Sequence, residues 1–237
     1  MKHIAKIGQP PAYTAWRNEM RGQPNERYPV PNPPRGELVD TLLNEQGFLC
    51  AYTMRRITED SCHIEHIKPE SLCRQDQVGS DLDYENMIVC HPKKTEKNKS
   101  EFTYGAIYKD AWWDDGGVHF ISPLNPQCEI RFNFNLKGEI IPLNADAEIT
   151  KEVLFLDHNS LTEDRRRTIQ EFIYGPKGDT PLSNSKSLQA IDSIVARNHN
   201  GEFYVFCIAI KRALQEHIAN LAKAAAKKKY VAQQKKK

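Results

Sequence analysis

Hydrophobic residues recur at spacings of three and four over several stretches of this chain, which puts them on one face of a helix. This pattern predicts helices over residues 12–20, 37–45, 98–108, 188–198, from 160 onward and, longest, from 203 onward. The apolar face of the longest helix is formed by Phe206, Ile210, Leu214, Ile218 and Leu221. The face stops near Ala222, so the end of this helix is expected to project from the body.

Other stretches alternate apolar and polar residues with a period of two, which is typical of strands. Short antiparallel strands are predicted at residues 64–67, 83–89, 118–121, 129–134 and 139–141. The polar stretches 70–82 and 175–187 are predicted loops, the run 48–52 fits a strand or a turn, and 151–156 fits a helix or a strand. Helices mixed with antiparallel strands predict an α+β fold.

The charge of the chain is unevenly distributed. The formal net charge is +2, but the stretch from Lys211 to Lys237 carries nine Lys or Arg and one acid. The rest of the chain is therefore about −6 and this end about +8. A cationic tail favours phosphate backbones without recognising their sequence. A solvated helix end explains the same charges, and the sequence leaves both interpretations open.

Composition restricts the class of protein. With 39% hydrophobic and 27% charged residues, the chain fits a globular protein. It has no run of 18 apolar residues and no apolar leader at Met1, so we expect no membrane span and a cytoplasmic location. Its six cysteines show no tight paired spacing and are expected to be free thiols. There is no Gly-rich phosphate loop, so hydrolysis of nucleoside triphosphates is not expected.

Candidate chemistry is concentrated between Cys62 and Ser100. Glu65 and His66 are adjacent, and an amide, Asn98, follows in a Lys-rich segment. Histidine is the natural general base near neutral pH, and Mg²⁺ needs only one or two protein oxygen ligands because it keeps several waters. We therefore predict a phosphodiesterase site in which His66 is the base and Glu65 and Asn98 bind Mg²⁺ or Mn²⁺.

Three further residues have roles that the sequence leaves partly open. Asn86 is predicted to hydrogen-bond near His66 and to fix the orientation of the ring. His91 is an alternative to Asn98 as a metal ligand. His63 lies on the same strand face as Glu65, so it is either an auxiliary ligand or a structural hydrogen-bonding group.

A local positive patch accompanies these residues. Lys94, Lys97 and Lys99 lie close together in the sequence, beside the predicted metal ligands. We expect these lysines to contact phosphate oxygens of a nucleic acid substrate.

The arrangement resembles the HNH endonuclease motif, a ββα-metal site. The segments 48–52, 63–69 and 83–88 more specifically resemble PtuB, the HNH subunit of Septu antiphage systems, whose relatives serve in some retron systems. This resemblance implies an HNH core within a mostly helical domain that has a small antiparallel sheet. It also implies cleavage of DNA or tRNA as a toxic effector. The implied partners are a PtuA-type ABC ATPase and, in retrons, a reverse transcriptase with its RNA–DNA product.

The chain departs from the family where HNH proteins often bind zinc. Cys50 is followed by Thr53 instead of a second cysteine, and Lys97 precedes Asn98. A structural zinc is therefore not expected, and Cys50 and Cys90 are either a residual metal-binding pair or two buried thiols.

The resemblance divides the chain into four predicted regions. These are a Pro-rich arm and helix at 1–44, a nuclease module at 45–110, an accessory α+β region at 111–215 and a Lys-rich helical tail at 216–237. The arm is expected to wrap over its own domain, although a groove on a partner is the alternative. A non-catalytic nucleic-acid-binding or adaptor subunit is the alternative function.

Overall fold

The computed structural model describes residues 1–23, 26–28, 33–95, 97 and 101–234, and helices make up most of the regular structure in these ranges. The helices are α1 (Pro11–Met20), α2 (Arg35–Glu45), α3 (Glu70–Asp76), α4 (Ala106–Lys109), α5 (Ala145–Val153), α6 (Asn159–Tyr174), α7 (Asn184–Ser193) and α8 (Cys207–Gln234). Within the described ranges, no helix is both long and apolar enough to span a bilayer.

Two small antiparallel sheets accompany the helices. Strand β1 (His63–His66) pairs with β2 (Met87–Cys90), so that His63 lies opposite Cys90 and His66 opposite Met87. Strand β3 (Phe132–Phe134) pairs with β4 (Ile140–Pro142). This mixture of helices and antiparallel sheets confirms the predicted α+β class.

The hairpin β1–β2 is fixed to the body by a side chain at the end of α2. The amide of Gln46 accepts a hydrogen bond from the Val89 N–H (2.7 Å) and donates to the Val89 carbonyl oxygen (2.8 Å). Both groups are buried, and the amide supplies a donor and an acceptor as a paired strand would. Strand β2 is thereby held in place relative to α2.

Two predicted strand or loop assignments are wrong. The stretch 70–82, predicted as a loop, contains α3, which begins directly after Pro69 and buries Cys73. The stretch 118–121, predicted as a strand, contains none: Phe120 and Ile121 are buried, but the Ile121 N–H donates to the Thr150 side chain (2.8 Å). At 70–82 the neighbouring proline outweighs the local pattern. At 118–121 the contact with the distant Thr150 does so.

The sequence predicted which helices exist better than it predicted their first residues. Helix α7 begins at Asn184, because Ser183 accepts a hydrogen bond from Lys186 N–H and caps it. Helix α6 begins at Asn159, one residue before the predicted start, because His158 accepts a hydrogen bond from the Ser160 N–H and caps it. Helix α8 begins at Cys207, since Phe206 has a φ of 54°, outside the helical region.

The helix predicted over 98–108 is only partly present in the described residues. Residues 98–100 lie outside them, and the described part is helical at Glu101 and at Ala106–Lys109. Gly105 precedes this turn with a φ of 68°, which a right-handed helix does not contain. The backbone conformation at Gly105 therefore sets the start of α4.

The hydrophobic core draws on residues from Met1 to Leu214. Met1, Ile4 and Tyr13 are buried in it, so the described part of the Pro-rich arm packs on its own domain. Tyr13 also donates from its hydroxyl to the Leu82 carbonyl oxygen (3.0 Å). At the other end, every described residue of α8 from Ala222 onward is exposed, as the end of the apolar face predicts.

Candidate active site

The side chains of β1 alternate between the two faces of the hairpin. His63 and Glu65 therefore share one face, and Ile64 and His66 share the other. All four residues are buried. Glu65 and His66 nevertheless line one cleft of about 230 Å³. Its other lining residues are Pro69, Glu70, Ser71, Arg74, Lys94, Asp110 and Ala111.

The carboxylate of Glu65 is surrounded by nitrogen atoms. Its Oε2 lies 3.1 Å from Lys94 Nζ and 3.5 Å from His63 Nε2, and its Oε1 lies 3.5 Å from Lys109 Nζ. Burial raises the pKa of Glu65, but His63 and the two lysines outweigh this effect and lower the pKa. The carboxylate is therefore ionised near neutral pH.

The His66 ring has one occupied and one unpaired nitrogen. Nε2 lies 2.8 Å from the Asp81 carbonyl oxygen, and because a carbonyl only accepts, Nε2 carries the hydrogen. In the neutral ring Nδ1 is then unprotonated, and it has no hydrogen-bond partner. Glu70 Oε1 lies 3.3 Å from Nδ1, and the Tyr28 ring packs edge-on at 4.9 Å. Nδ1 is thus buried beside the Glu70 carboxylate.

Asn86 contacts the backbone after His66 instead of the ring. Its Oδ1 accepts from the Lys68 N–H (2.8 Å), and its Nδ2 donates to the Lys68 carbonyl oxygen (2.9 Å). Nδ2 also lies 3.4 Å from Cys73 Sγ. The amide therefore ties the end of β1 to the start of β2 and to α3. Any effect on the orientation of His66 is indirect.

The remaining predicted metal ligands and phosphate-contacting lysines differ in their position relative to the cleft. Asn98 and Lys99 lie outside the described residues, and Lys97 is exposed. Lys94 lines the cleft. The His91 ring packs edge-on against Phe102, with 4.9 Å between the ring centres. Burial lowers the pKa of His91.

Metal-binding capacity is limited to pairs of side chains in the described part of the chain. There, no three His, Cys, Asp or Glu side chains are arranged to hold an ion together. His91 is therefore not combined with Glu65 and His63 in a three-residue set. The buried carboxylate of Glu65 and Nε2 of His63, which lie 3.5 Å apart, are the pair that could share a divalent cation that keeps most of its waters.

Cys50 and Cys90 are in contact, and both are buried. Burial raises the pKa of Cys50, but hydrogen bonds from Cys90, Thr53 and the His91 N–H outweigh burial and lower the pKa. Burial and the bond to Cys50 raise the pKa of Cys90. The two sulfur atoms thus share hydrogen bonds in the protein interior, and the expectation about zinc stays a prediction.

Sequence reasoning missed several contacts of the site. Lys109 has a fully buried side chain beside Glu65, and the carbonyl oxygen of Asp81 bonds to His66. Neither residue belongs to a sequence motif, because only the folding of the chain brings them next to His66 and Glu65. Glu70 was also missed, because its carboxylate faces His66 only as the first residue of α3, in a stretch predicted as a loop.

Comparisons with known proteins identify one relative of this chain. No family model matches the chain. A protein of Vibrio cholerae serotype O1 biovar El Tor, named "Retron Vc95 putative HNH endonuclease", is 29% identical to it over 142 residues. The match covers 57% of this chain and 64% of the relative, so the chain spans just under two thirds of the length of that protein.

Proposed function

We propose that this chain is a metal-dependent HNH endonuclease that hydrolyses phosphodiester bonds of nucleic acid. The observation that supports the proposal is that His66 and Glu65 line one cleft, with the Glu65 carboxylate ionised and the buried His66 Nδ1 3.3 Å from the Glu70 carboxylate. The likeness to a retron HNH endonuclease supports the same class of enzyme.

In this proposal His66 removes a proton from the attacking water through Nδ1. The proton makes the ring an imidazolium, which the Asp81 carbonyl oxygen at Nε2 and the Glu70 carboxylate near Nδ1 both stabilise. Asn86 keeps the end of β1 in place during this step. Glu65 would hold a divalent cation, which when bound would neutralise charge on the phosphate and the leaving oxygen.

Lys94 has a second role in the proposal. Its side chain is 47% exposed and lines the cleft, so it can contact a phosphate oxygen without unfolding the site. Asn98 as a further metal ligand, and Lys97 and Lys99 as phosphate contacts, remain part of the proposal.

The biological setting is proposed from similarity. The relative belongs to a retron by its name, and the motif segments resemble PtuB. We therefore propose a toxic effector of a bacterial antiphage system that works with a PtuA-type ABC ATPase. A retron reverse transcriptase and its RNA–DNA product are the further proposed partners.

The test incubates the purified chain, with and without a PtuA-type partner, with DNA or tRNA and either Mg²⁺ or Mn²⁺. We expect cleavage, and we expect His66→Ala to reduce it by about 10²–10⁴-fold, the usual contribution of a general base. His119→Ala is the matched control, because His119 is a half-exposed histidine that pairs with Asp146. Cleavage that is equal in the two variants contradicts the proposal.

A non-catalytic binding subunit is the second candidate function. The exposed Lys-rich end of α8 favours it, because that surface can hold nucleic acid without any chemistry. The same assay separates the two functions: a binding subunit retains DNA in a mobility-shift assay and cleaves nothing with either metal.

A further inference from the structure

We infer that a second cavity, formed by Arg56, Arg197 and three aromatic residues, binds one nucleotide through its phosphate and its base. The cavity has a volume of about 300 Å³. Among the described residues, it shares none with the cleft of Glu65 and His66. The inference goes beyond the proposed function, because it needs neither a metal nor cleavage.

The cavity lies where separate parts of the chain meet. Phe172 belongs to α6, Arg197 to the turns that follow α7, and Phe203 and Tyr204 to the segment before α8. Arg56 completes the wall from the stretch before β1. Ligand sites in proteins usually measure about 300–1,000 Å³, so this cavity has room for one small ligand.

The charges of the two arginines are not balanced by a carboxylate. In the described part of the chain, arginine ion pairs are formed by other arginines, and no acidic residue lines this cavity. Glu202 is close to Arg197 in the sequence, but its carboxylate accepts from the Asn198 amide at 3.0 Å. Two uncompensated positive charges in one concave site attract an anion.

Neutral backbone groups hold both guanidinium groups in place. Each arginine makes three hydrogen bonds to carbonyl oxygens, which are those of Gly47, Phe48 and Phe203 for Arg56 and those of Asn44, Glu45 and Gly201 for Arg197. A guanidinium has five N–H donors, so within the described chain at least two on each arginine are left for a ligand. Carbonyls fix these groups without cancelling their charge, and a fixed guanidinium suits the oxygens of a phosphate.

The aromatic residues provide a surface for a planar ring. Tyr204 is 48% exposed, and Phe172 packs edge-on against it with 5.6 Å between the ring centres. Phe203 is buried, and the Arg197 guanidinium lies 4.7 Å from the centre of its ring. Nucleobases stack on exposed aromatic rings and on guanidinium planes, largely independently of base identity. A ligand that uses the whole cavity therefore combines a planar ring with an anionic group, and nucleotides have both.

Two sources supply this chemistry: a free nucleotide, or one unpaired nucleotide of a nucleic acid strand. Both offer a phosphate and an accessible base. A base inside a duplex is already stacked and paired, so duplex DNA is not expected to enter the cavity.

The experiment titrates the full chain in EDTA, so that metal-dependent cleavage does not consume the ligand. Binding of adenosine monophosphate is measured by calorimetry, and binding of a fluorescent single-stranded hexanucleotide by anisotropy. Ser193, the last residue of α7, lines the cavity. Ser193→Glu therefore adds a carboxylate beside the arginines while keeping both of them.

We expect Ser193→Glu to weaken binding of at least one ligand by about tenfold or more relative to Ser193→Gln, because the added carboxylate repels the phosphate. Ser193→Gln has nearly the same shape and no charge. Ser185→Glu adds the same charge at an exposed position near the start of the same helix. It should bind both ligands like the unsubstituted protein.

A second pair of variants tests the base. Tyr204→Ala should weaken binding by about fivefold or more, which is a usual effect of losing a stacked base, whereas Tyr204→Phe keeps the ring and should bind normally. Unfolding temperatures close to that of the unsubstituted protein show that the variants are folded.

The two ligands distinguish the two sources. Adenosine monophosphate binding that responds to both pairs of variants identifies a free nucleotide, and a response limited to the hexanucleotide identifies an unpaired nucleotide of a strand. The inference is wrong if neither ligand binds, or if Ser193→Glu and Ser193→Gln bind both equally. It is also wrong if Tyr204→Ala binds like Tyr204→Phe, because the cavity then holds an anion without a base.

Discussion

Asn86 shows how a residue can matter to a site without touching its reactive group. Both atoms of its amide bond to the backbone of Lys68, two residues after His66. Buried polar groups that lose such partners cost free energy. The amide therefore stabilises the position of β1, on which His63, Glu65 and His66 all depend.

Lys109 is the least expected residue of the site. A lysine side chain with no exposed surface is rare unless it is paired, and the carboxylate near this one is Glu65. Burial lowers the pKa of Lys109, and Glu65 offsets only part of this effect. The ammonium is therefore harder to keep charged in the folded chain than in the unfolded chain.

This pKa shift predicts a pH dependence of stability. The unfolded chain binds the proton of Lys109 more tightly, so the free energy of unfolding should rise as pH increases from the lowered pKa towards 10.5. Lys109→Met lacks this group, and its stability relative to the unsubstituted protein should fall over that interval. Denaturant unfolding at several pH values measures both curves. Lys223→Met, at an exposed position, is the control, and a parallel pair of curves for Lys109→Met would refute the expectation.

At the scale of elements, helix α6 and the hairpin β3–β4 are held together by a buried arginine. Arg165 donates to the carbonyl oxygens of Gly138 (2.7 Å) and Leu156 (2.9 Å). Arg166 and Arg167 instead pair with Glu163 and Asp164 on the surface of the helix. The three consecutive arginines therefore do not form one patch, as the helical rotation of 100° per residue predicts.

Gly138 allows this close approach, because a side chain there has no room. Its φ is 78°, and an added Cβ would lie 2.5 Å from the Arg166 nitrogen and 2.5 Å from the Thr162 carbonyl oxygen. Gly138→Ala should destabilise the protein by about 1–3 kcal/mol more than Gly178→Ala, the typical cost of overpacking. Gly178 has a similar φ of 72° but open space around it, so it controls for backbone strain. Thermal or urea unfolding measures both variants, and equal losses would contradict the steric explanation.

At the scale of the whole molecule, the Lys-rich end of α8 is separate from the core. Residues beyond Ala222 are exposed, and in the described part they include Lys223, Lys227, Lys228 and Lys229. Acidic residues are absent from this end of the sequence after Glu216. The projection supports a contact with phosphate backbones, although a solvated helix end has the same appearance.

A charge-removal experiment decides between these two interpretations. Replacing the four lysines with Gln should leave the unfolding temperature nearly unchanged, since the core ends at Leu214. Binding of duplex DNA should weaken, and the slope of log K against log salt should become less steep by up to about 0.9 per lysine. The same four positions changed to Arg keep the charge and serve as the control. If the Gln variant keeps the original slope, the tail is only solvated.

The sequence by itself determined the features that depend on neighbouring residues. The alternation in β1 puts His63 and Glu65 on one face, and the end of the apolar stripe predicts where α8 leaves the body. Such features follow from the residue period of a strand or a helix, and this period is visible within a short segment of the sequence. The motif from Glu65 to Asn86 was recognised from its residue types and from its resemblance to the HNH motif.

Only the tertiary structure decided what each side chain of the site contacts. Asp81, which fixes the tautomer of His66, is 15 residues away from it, and Lys109 is 44 residues from Glu65. The helices that begin near Pro69, Gly105 and Phe206 likewise depend on contacts or backbone conformations. A periodic pattern of hydrophobic residues does not show these. Hydrogen bonds and ion pairs act over a few ångströms in space, so partners far apart in the chain become neighbours only when the core has formed.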